Sequence, residues 1–90
     1  MITGSQISAA RALLKWSAAE FADKIGLARH TIMRLEQSDD VPSSRTQTLM
    51  EIKRVFEEAG LEFIGTPDDG PGVRYRPKSL NLGRRVNVEI

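Results

Sequence analysis

Two short amphipathic segments separated by only three residues constrain the fold of this chain more than any other feature of its sequence. The first runs from Ser17 to Ile25 and the second from about Arg29 to Gln37, with Gly26-Leu27-Ala28 between them. Apolar residues recur at helical spacing in both segments, which predicts two helices. A connection this short is too tight for a full-length antiparallel pair and favours a crossing near perpendicular.

The residues expected at the crossing fit this geometry. Ala22 is small enough for two backbones to approach closely, and Gly26 can adopt the left-handed conformation that ends the first helix. Ser17 and Glu20 have the spacing of a capping box, which predicts where that helix begins. The shared core is predicted from five apolar residues: Phe21, Ile25, Leu27, Ile32 and Leu35. This combination is the helix-turn-helix pattern, which is much more specific than a generic amphipathic pair.

Two further helices flank this pair. Ser5 is the predicted N-cap of a helix from about Gln6 to Leu14. Ser44 and Gln47 have the spacing of a second capping box, which predicts the start of a long helix that ends at residue 60.

After residue 60 the pattern changes from helical periodicity to strands and turns. Residues 61–64 and 73–75 are predicted to form two short strands, joined by a loop over residues 66–72 that is rich in Pro, Gly and Asp. Residues 85–90 alternate weakly and form a candidate third strand. An isolated hairpin is marginal in water, so we expect this one to pack on the helices or on another subunit.

Composition excludes several classes of site. The chain of 90 residues has no cysteine and one histidine, which excludes disulfides, cysteine-based zinc sites and thiol nucleophiles. No apolar run approaches the roughly 18 residues of a transmembrane helix, and no secretory signal is recognisable, so a cytoplasmic location is expected. The acidic residues are scattered, and Gly70-Pro71-Gly72 lacks the Lys-Ser/Thr of a phosphate-binding loop. We therefore predict no catalytic site, no metal and no cofactor.

Several short runs around the predicted turn are shared with a known class of regulators. They are Leu14-Lys15-Trp16-Ser17, Glu20-Phe21-Ala22, Ile25-Gly26-Leu27, Thr31-Ile32 and Arg34-Leu35-Glu36. The chain resembles the phage repressor/Cro (Xre) class of helix-turn-helix regulators, and in particular a small bacterial subgroup with Gly-Leu-Glu-Phe-Ile and Gly-Pro-Gly-Val-Arg segments, here residues 60–64 and 70–74. The resemblance covers roughly residues 2–76. It implies a mainly α fold, with a four-to-five-helix repressor-like DNA-binding domain over residues 1–60 and a short C-terminal β-hairpin and tail over residues 61–90.

The second helix of the pair carries the predicted base contacts. In this class of fold that helix enters the major groove, where its N-terminal residues meet the base edges. Arg29 and His30 occupy those positions here, and Met33 and Arg34 follow one turn later on the same side. An arginine can donate to guanine O6 and N7 together, and each such contact discriminates between bases by about 1–3 kcal/mol. By the resemblance, Met33 is placed for a thymine methyl group.

The predicted phosphate contacts lie mainly at helix N-termini, where backbone N–H groups and hydroxyls face the sugar-phosphate backbone. The candidates are Ser17, Ala18, Thr31, Ser43, Ser44, Arg45 and Thr46. Many members of the class carry glutamine where this chain has Ala18, and serine or threonine where it has Ala28. Each difference removes a polar contact, so we expect weak binding per monomer and a greater need for dimerisation.

The sequence thus predicts a transcriptional regulator, in the first instance a repressor, that binds double-stranded DNA as a homodimer on a palindromic operator. The hairpin or the C-terminal strand is the predicted dimerisation element. Two alternatives stay open: the antitoxin of a toxin–antitoxin pair, whose C-terminal tail holds a protein partner, and a helix-turn-helix fold used as a protein-interaction (anti-activator) module. The first 60 residues hold 8 basic and 8 acidic side chains, which slightly favours the interaction module.

Overall fold

A computed structural model of the chain describes residues 2–38, 40–42 and 44–76. The four helices are α1 (Gly4–Leu14), α2 (Ala18–Ile25), α3 (Arg29–Glu36) and α4 (Thr46–Glu58), and they are followed by strands β1 (Leu61–Thr66) and β2 (Asp69–Tyr75). The two strands form one antiparallel hairpin. The prediction of a mainly helical chain with a hairpin after the helices is therefore confirmed, whereas the predicted strand over residues 85–90 lies outside the described residues.

A single apolar core joins the helices to the hairpin. Phe21 and Phe56 are fully buried with their rings stacked at 4.5 Å between centroids, and Trp16 stacks against both at 6.1 and 5.8 Å. Phe63 of β1 meets Phe56 edge-on at 6.0 Å. This aromatic cluster links α2, α4 and β1, so it ties the hairpin to the helices.

The turn between α2 and α3 forms as its sequence predicts. Ser17 Oγ accepts from the Glu20 N–H at 3.0 Å, and Glu20 Oε1 accepts from the Ser17 N–H at 2.7 Å, which completes the capping box. Gly26 has φ = 75°, a left-handed conformation that most other residues adopt only at a cost. Ala22 is buried beneath the turn and its carbonyl accepts from the Leu27 N–H at 3.0 Å. These contacts fix the point at which α3 begins.

The predicted start of α1 at Ser5 is wrong. Thr3 is the N-cap: its side chain accepts from the Gln6 N–H at 3.1 Å, and Gln6 Oε1 accepts from the Thr3 N–H at 2.8 Å. Only Thr3 has a glutamine three residues later, so only Thr3 can form a reciprocal capping box. Ser5 has Ser8 at that spacing and lies within the helix.

The predicted capping box at the start of α4 is also wrong. Arg45, not Ser44, is the N-cap, with extended backbone (φ −67°, ψ 140°) and no side-chain capping hydrogen bond. The position of α4 is set by Leu49 and Ile52, which are buried in the core, and the preceding loop is held at buried Pro42. A cap contributes about 1 kcal/mol, which is less than the burial of these side chains, so the core decides where the helix begins.

The hairpin is longer than predicted, because the segment expected to be a loop mostly belongs to the strands. Only Pro67 and Asp68 lie between β1 and β2, and Leu61 pairs with Tyr75 at the open end. Gly65 has φ = 76° at a β-bulge, and a Cβ atom there would meet the backbone of Gly70. The glycines therefore allow the tight pairing that sequence analysis interpreted as irregular.

One side chain of α1 holds both strands of the hairpin. Gln6, which is almost fully buried, donates through Nε2 to the carbonyl oxygens of Ile64 at 3.2 Å and Gly72 at 2.9 Å. Ile64 and Gly72 are directly paired across the hairpin. Gln6 therefore caps α1 with one end of its amide and attaches the hairpin with the other.

Candidate nucleic-acid interface

Burial determines which side of α3 faces outward. Ile32 and Leu35, three residues apart, are fully buried against the core. The four predicted base-contacting residues are all exposed: Arg29, His30, Met33 and Arg34. Met33 exposes 45% of its surface although it is a large apolar residue. The outer side of α3 thus combines hydrogen-bond donors with one apolar group.

The start of α2 and the outer side of α3 border the same shallow depression, which has a volume of about 500 Å³. Ser17 and Ala18, two predicted phosphate contacts, line it together with Arg29 and Met33. Residues predicted for two different roles, from two different helices, therefore lie around one concave surface. We call this surface, with the rest of the outer side of α3, the α3 face.

Four residues that are not among the predicted contacts also line this depression: Ser8, Arg11, Glu36 and Gln37. Gln37 lies at the C-terminal end of α3, and Ser8 lies on α1. Gln37 follows Arg29 and Met33 at successive intervals of four residues, which places all three on one side of a helix. That spacing is visible in the sequence and identifies Gln37. The position of Ser8 depends on how α1 packs against α3, which no local pattern records.

An ion pair between α1 and α3 lies at the edge of the α3 face. Arg11 donates to both carboxylate oxygens of Glu36, through Nε at 2.8 Å and Nη2 at 2.9 Å, and to the Trp16 carbonyl oxygen at 3.0 Å. The hydrogen bond to Glu36 raises the pKa of Arg11 above its ordinary value. Because Arg11 neutralises this carboxylate, Glu36 does not offset the positive charge of Arg29 nearby.

The starts of α3 and α4 lack side-chain caps. The N-caps of α3 and α4, Ala28 and Arg45, make no side-chain capping hydrogen bond, whereas α1 and α2 both have complete capping boxes. Arg45 and Leu27 line one small depression of about 270 Å³, so the two uncapped starts are neighbours. Uncapped backbone N–H groups at a helix start attract anions, because they add to the positive end of the helix dipole.

The remaining predicted phosphate contacts have different surroundings. Ser44, Arg45 and Thr46 are exposed around the start of α4. Thr31 is half-buried in the first turn of α3, where its N–H donates to the Ala28 carbonyl oxygen at 3.0 Å. Ser43 lies outside the described residues.

The basic side chains within α4 and on the hairpin are paired with acids, whereas Lys24 of α2 lies over the ring of Trp16. Lys53 pairs with Glu57 at 2.8 Å, Arg54 pairs with two glutamates of α4, and Arg74 and Arg76 share Glu62 on the hairpin. In contrast, among the described residues no acidic side chain pairs with Arg29, His30 or Arg45. Arg29 at the start of α3 and Arg45 at the start of α4 are therefore cationic groups without an acidic partner among the described residues.

No protein-family model matches this chain, and a comparison with curated proteins also finds no significant match. Within the described residues, no helix is both long and apolar enough to cross a membrane. The same residues contain no group of three or more His, Asp or Glu side chains arranged to hold a metal ion.

Proposed function

We propose that this protein is a sequence-specific DNA-binding transcriptional regulator, acting as a repressor, whose recognition helix is α3. One observation carries the proposal: α3 is anchored by the fully buried Ile32 and Leu35 while it presents Arg29 and Met33 on a concave surface shared with the start of α2. A helix held in this way presents the same side chains in a fixed geometry, as base recognition in a major groove requires.

The chemistry of the α3 face suits the edges of base pairs. Arg29 and Arg34 are assigned to guanine, because a guanidinium donates two parallel hydrogen bonds to O6 and N7. Met33 is assigned to a thymine methyl group, and His30 to a base or a neighbouring phosphate. Gln37 extends the same side of the helix and is suited to adenine through its amide.

The uncapped starts of α3 and α4 are assigned to the phosphate backbone. Three kinds of donor there are suited to phosphate oxygens on either side of the groove: the backbone N–H groups that no side chain caps, the exposed hydroxyls of Ser44 and Thr46, and the guanidinium of Arg45. Such contacts fix the register of the protein on the duplex and contribute the part of the affinity that depends on salt.

The distribution of ion pairs weakens the argument for an interaction module. That alternative was favoured by the near-neutral total charge of the first 60 residues. The acidic groups of α4 are paired with bases on their own helix, and Glu36 is paired with Arg11. The neutral total therefore coexists with two arginines, Arg29 and Arg45, that no acidic side chain of the described residues pairs with, and this favours DNA over a protein surface. No described contact supports the antitoxin alternative.

The full proposal includes a homodimer on a palindromic operator, acting on DNA in the cytoplasm, with no catalytic role. Two recognition helices related by a two-fold axis would enter successive major grooves about 34 Å apart. The loss of polar side chains at Ala18 and Ala28 makes the second copy more important for affinity.

The test is selection of binding sites from a pool of random duplexes, followed by fluorescence anisotropy on the selected duplex and a scrambled duplex. We expect tight binding to the selected site that weakens steeply with salt. Arg29→Ala should weaken specific binding by about 1–3 kcal/mol, or roughly 5- to 150-fold. The matched control is Lys24→Ala, which removes a positive charge from the last turn of α2, outside the α3 face, and should leave affinity nearly unchanged. No enrichment of any sequence, with equal affinity for all duplexes, would contradict the proposal.

A further inference from the structure

The residue that joins α1 to α2 has a backbone conformation that favours glycine, although the residue is a lysine. Lys15 has φ = 58° and ψ = 32°, and it is the one non-glycine residue with positive φ in the part of the chain that the structure describes. In this left-handed region the Cβ atom of an L-residue crowds a neighbouring carbonyl oxygen, whereas glycine has no Cβ atom. The stability of the turn alone would therefore favour glycine at this position.

Hydrogen bonds on both sides of Lys15 hold this conformation. The Lys15 N–H donates to the Ala12 carbonyl oxygen at 3.0 Å, and the Trp16 N–H donates to the Arg11 carbonyl oxygen at 3.1 Å. The side chain of Arg11 in turn donates through Nη1 to the Trp16 carbonyl oxygen at 3.0 Å. Because Arg11 also lines the depression of the α3 face, the backbone at Lys15 has a fixed position relative to that face.

Lys15 lies close to the predicted phosphate contacts at the start of α2. Ser17, which lines the α3 face, is only two residues further along the chain. Two residues span at most about 7 Å, so the Cα atoms of Lys15 and Ser17 are no further apart than that. The flexible four-carbon stem of a lysine has a similar reach. The ammonium group of Lys15 can therefore meet a phosphate beside the start of α2 without any movement of the backbone.

The ammonium group of Lys15 has no partner among the described residues. The side chain is exposed, and no hydrogen bond or ion pair to another described residue holds it. Two acidic side chains at the edges of this region are engaged elsewhere, Glu20 in the capping box of α2 and Glu36 with Arg11. The ammonium group of Lys24, in contrast, lies 4.8 Å from the centre of the Trp16 ring. The contacts within the chain therefore give the Lys15 side chain no stabilising role that would offset its backbone conformation.

We propose that Lys15 binds a phosphate of the DNA backbone beside the start of α2, and that the chain is less stable for carrying a charged side chain at this position. This inference rests on the proposed function and adds a contact to it, since Lys15 is not among the predicted phosphate contacts. An ammonium group suits a phosphate as a point charge, and a phosphate contact carries no sequence information. Lys15 thus contributes affinity at a helix start where Ala18 has no polar side chain.

The test combines thermal unfolding of the full chain with fluorescence anisotropy on the selected and scrambled duplexes over a series of salt concentrations. Lys15→Gly relieves the backbone and should raise the Tm by a few degrees. The same variant should weaken binding to both duplexes by roughly fivefold to tenfold at about 0.1 M salt, because one phosphate contact is lost. The slope of log Kd against log salt should fall by about 0.9 for each bound protomer.

Two further variants separate the charge from the backbone conformation. Lys15→Gln removes the charge but keeps a side chain in the left-handed region, so it should weaken binding without raising the Tm. Lys15→Arg keeps the charge and should bind as the wild type does. The matched control is Lys24→Gln, which removes the same charge from the last turn of α2 and should leave the salt slope nearly unchanged.

Three results would overturn this inference: a salt slope that Lys15→Gly leaves unchanged, a Tm that Lys15→Gly does not raise, or a loss of affinity that is the same for Lys15→Gln and Lys24→Gln. Failure of the proposed function gives a different result. Equal binding to both duplexes that still depends on Lys15 would support the phosphate contact and contradict sequence-specific recognition. Specific binding that depends on Arg29 but not on Lys15 would contradict the contact and leave the proposed function intact. A wild-type protein that binds no duplex would contradict both.

Discussion

Replacing Gln6 by glutamate tests how the hairpin is held to the helices. Gln6→Glu keeps the shape of the side chain and the acceptor oxygen that caps α1, but replaces the Nε2 donor by an oxygen. The hydrogen bonds to the carbonyl oxygens of Ile64 and Gly72, now 3.2 and 2.9 Å long, are lost, and a carboxylate oxygen faces both carbonyls. Gln6 is only 4% exposed, so water cannot readily replace the lost donor.

The expected cost can be worked out from these contacts. Each lost hydrogen bond contributes about 1 kcal/mol net, and partners left without a donor in a buried site add about 1–3 kcal/mol together. A negative charge near the start of α1 recovers only about 0.5 kcal/mol through the helix dipole. The net loss is about 3 kcal/mol, which lowers the Tm of a domain of this size by roughly 12–24 °C.

The assay is thermal and urea unfolding followed by circular dichroism, with Gln47→Glu as the control, because Gln47 is exposed on α4. The control should change stability by no more than about 0.5 kcal/mol. Burial and the facing carbonyls raise the pKa of the introduced carboxyl in the folded state, so the cost of Gln6→Glu should grow as pH rises above about 4.3 and shrink in acid. Unfolding of Gln6→Glu at the wild-type Tm at neutral pH would refute the role assigned to Gln6.

Three further substitutions test other contacts by urea unfolding. Gly4→Ala places a methyl group of α1 against backbone carbonyls at the end of α3. This should lower the free energy of unfolding by about 2–3 kcal/mol. An unchanged value would show that α1 and α3 can move apart at no cost. Arg11→Met leaves Glu36, whose side chain is 10% exposed, without its partner. We expect a loss of about 2 kcal/mol, below the 3–5 kcal/mol of a fully buried pair because Arg11 is 24% exposed, and no loss would contradict the structural role of the pair. On the hairpin, a hydrogen bond from Arg74 holds the pKa of Glu62 below its ordinary value of 4.5, so the stability from this contact is present above that value and is lost as pH falls through the folded pKa. The difference in urea midpoint between wild type and Glu62→Gln should therefore close in acid, and a difference that persists there would have another cause.

The elements that sequence analysis predicted well are those in which local and tertiary preferences agree. Ser17 and Glu20 form their capping box, and Gly26 adopts the left-handed conformation, because the core also requires a turn at that point. The exposed side of α3 is predicted correctly for the same reason. Ile32 and Leu35 can both be buried in only one orientation of the helix, and this leaves the opposite side exposed.

The errors occur where tertiary contacts decide. Arg45, and not the predicted Ser44, is the N-cap of α4, because the buried side chains of α4 fix the position of the helix. The sequence pattern predicts Gln6 only as the start of a helix, whereas its Nε2 donates to carbonyl oxygens 58 and 66 residues away in the sequence. A capping pattern spans four residues, so it cannot record a partner at that distance. Gln37 is the exception, because its spacing from Arg29 and Met33 alone places it on the same side of α3.

The measurement that tests the central claim most directly is a double-mutant cycle between Arg29 and a guanine of the selected operator. Replacing that guanine by 7-deazaguanine removes the N7 acceptor from the major groove and leaves base pairing intact. The account predicts that the modified duplex weakens binding of the wild-type protein, and that it has no further effect on Arg29→Ala because the contact is already absent. If no guanine of the operator is coupled to Arg29, and the effects of the two changes simply add, then α3 does not recognise the bases through this residue and the central claim is wrong.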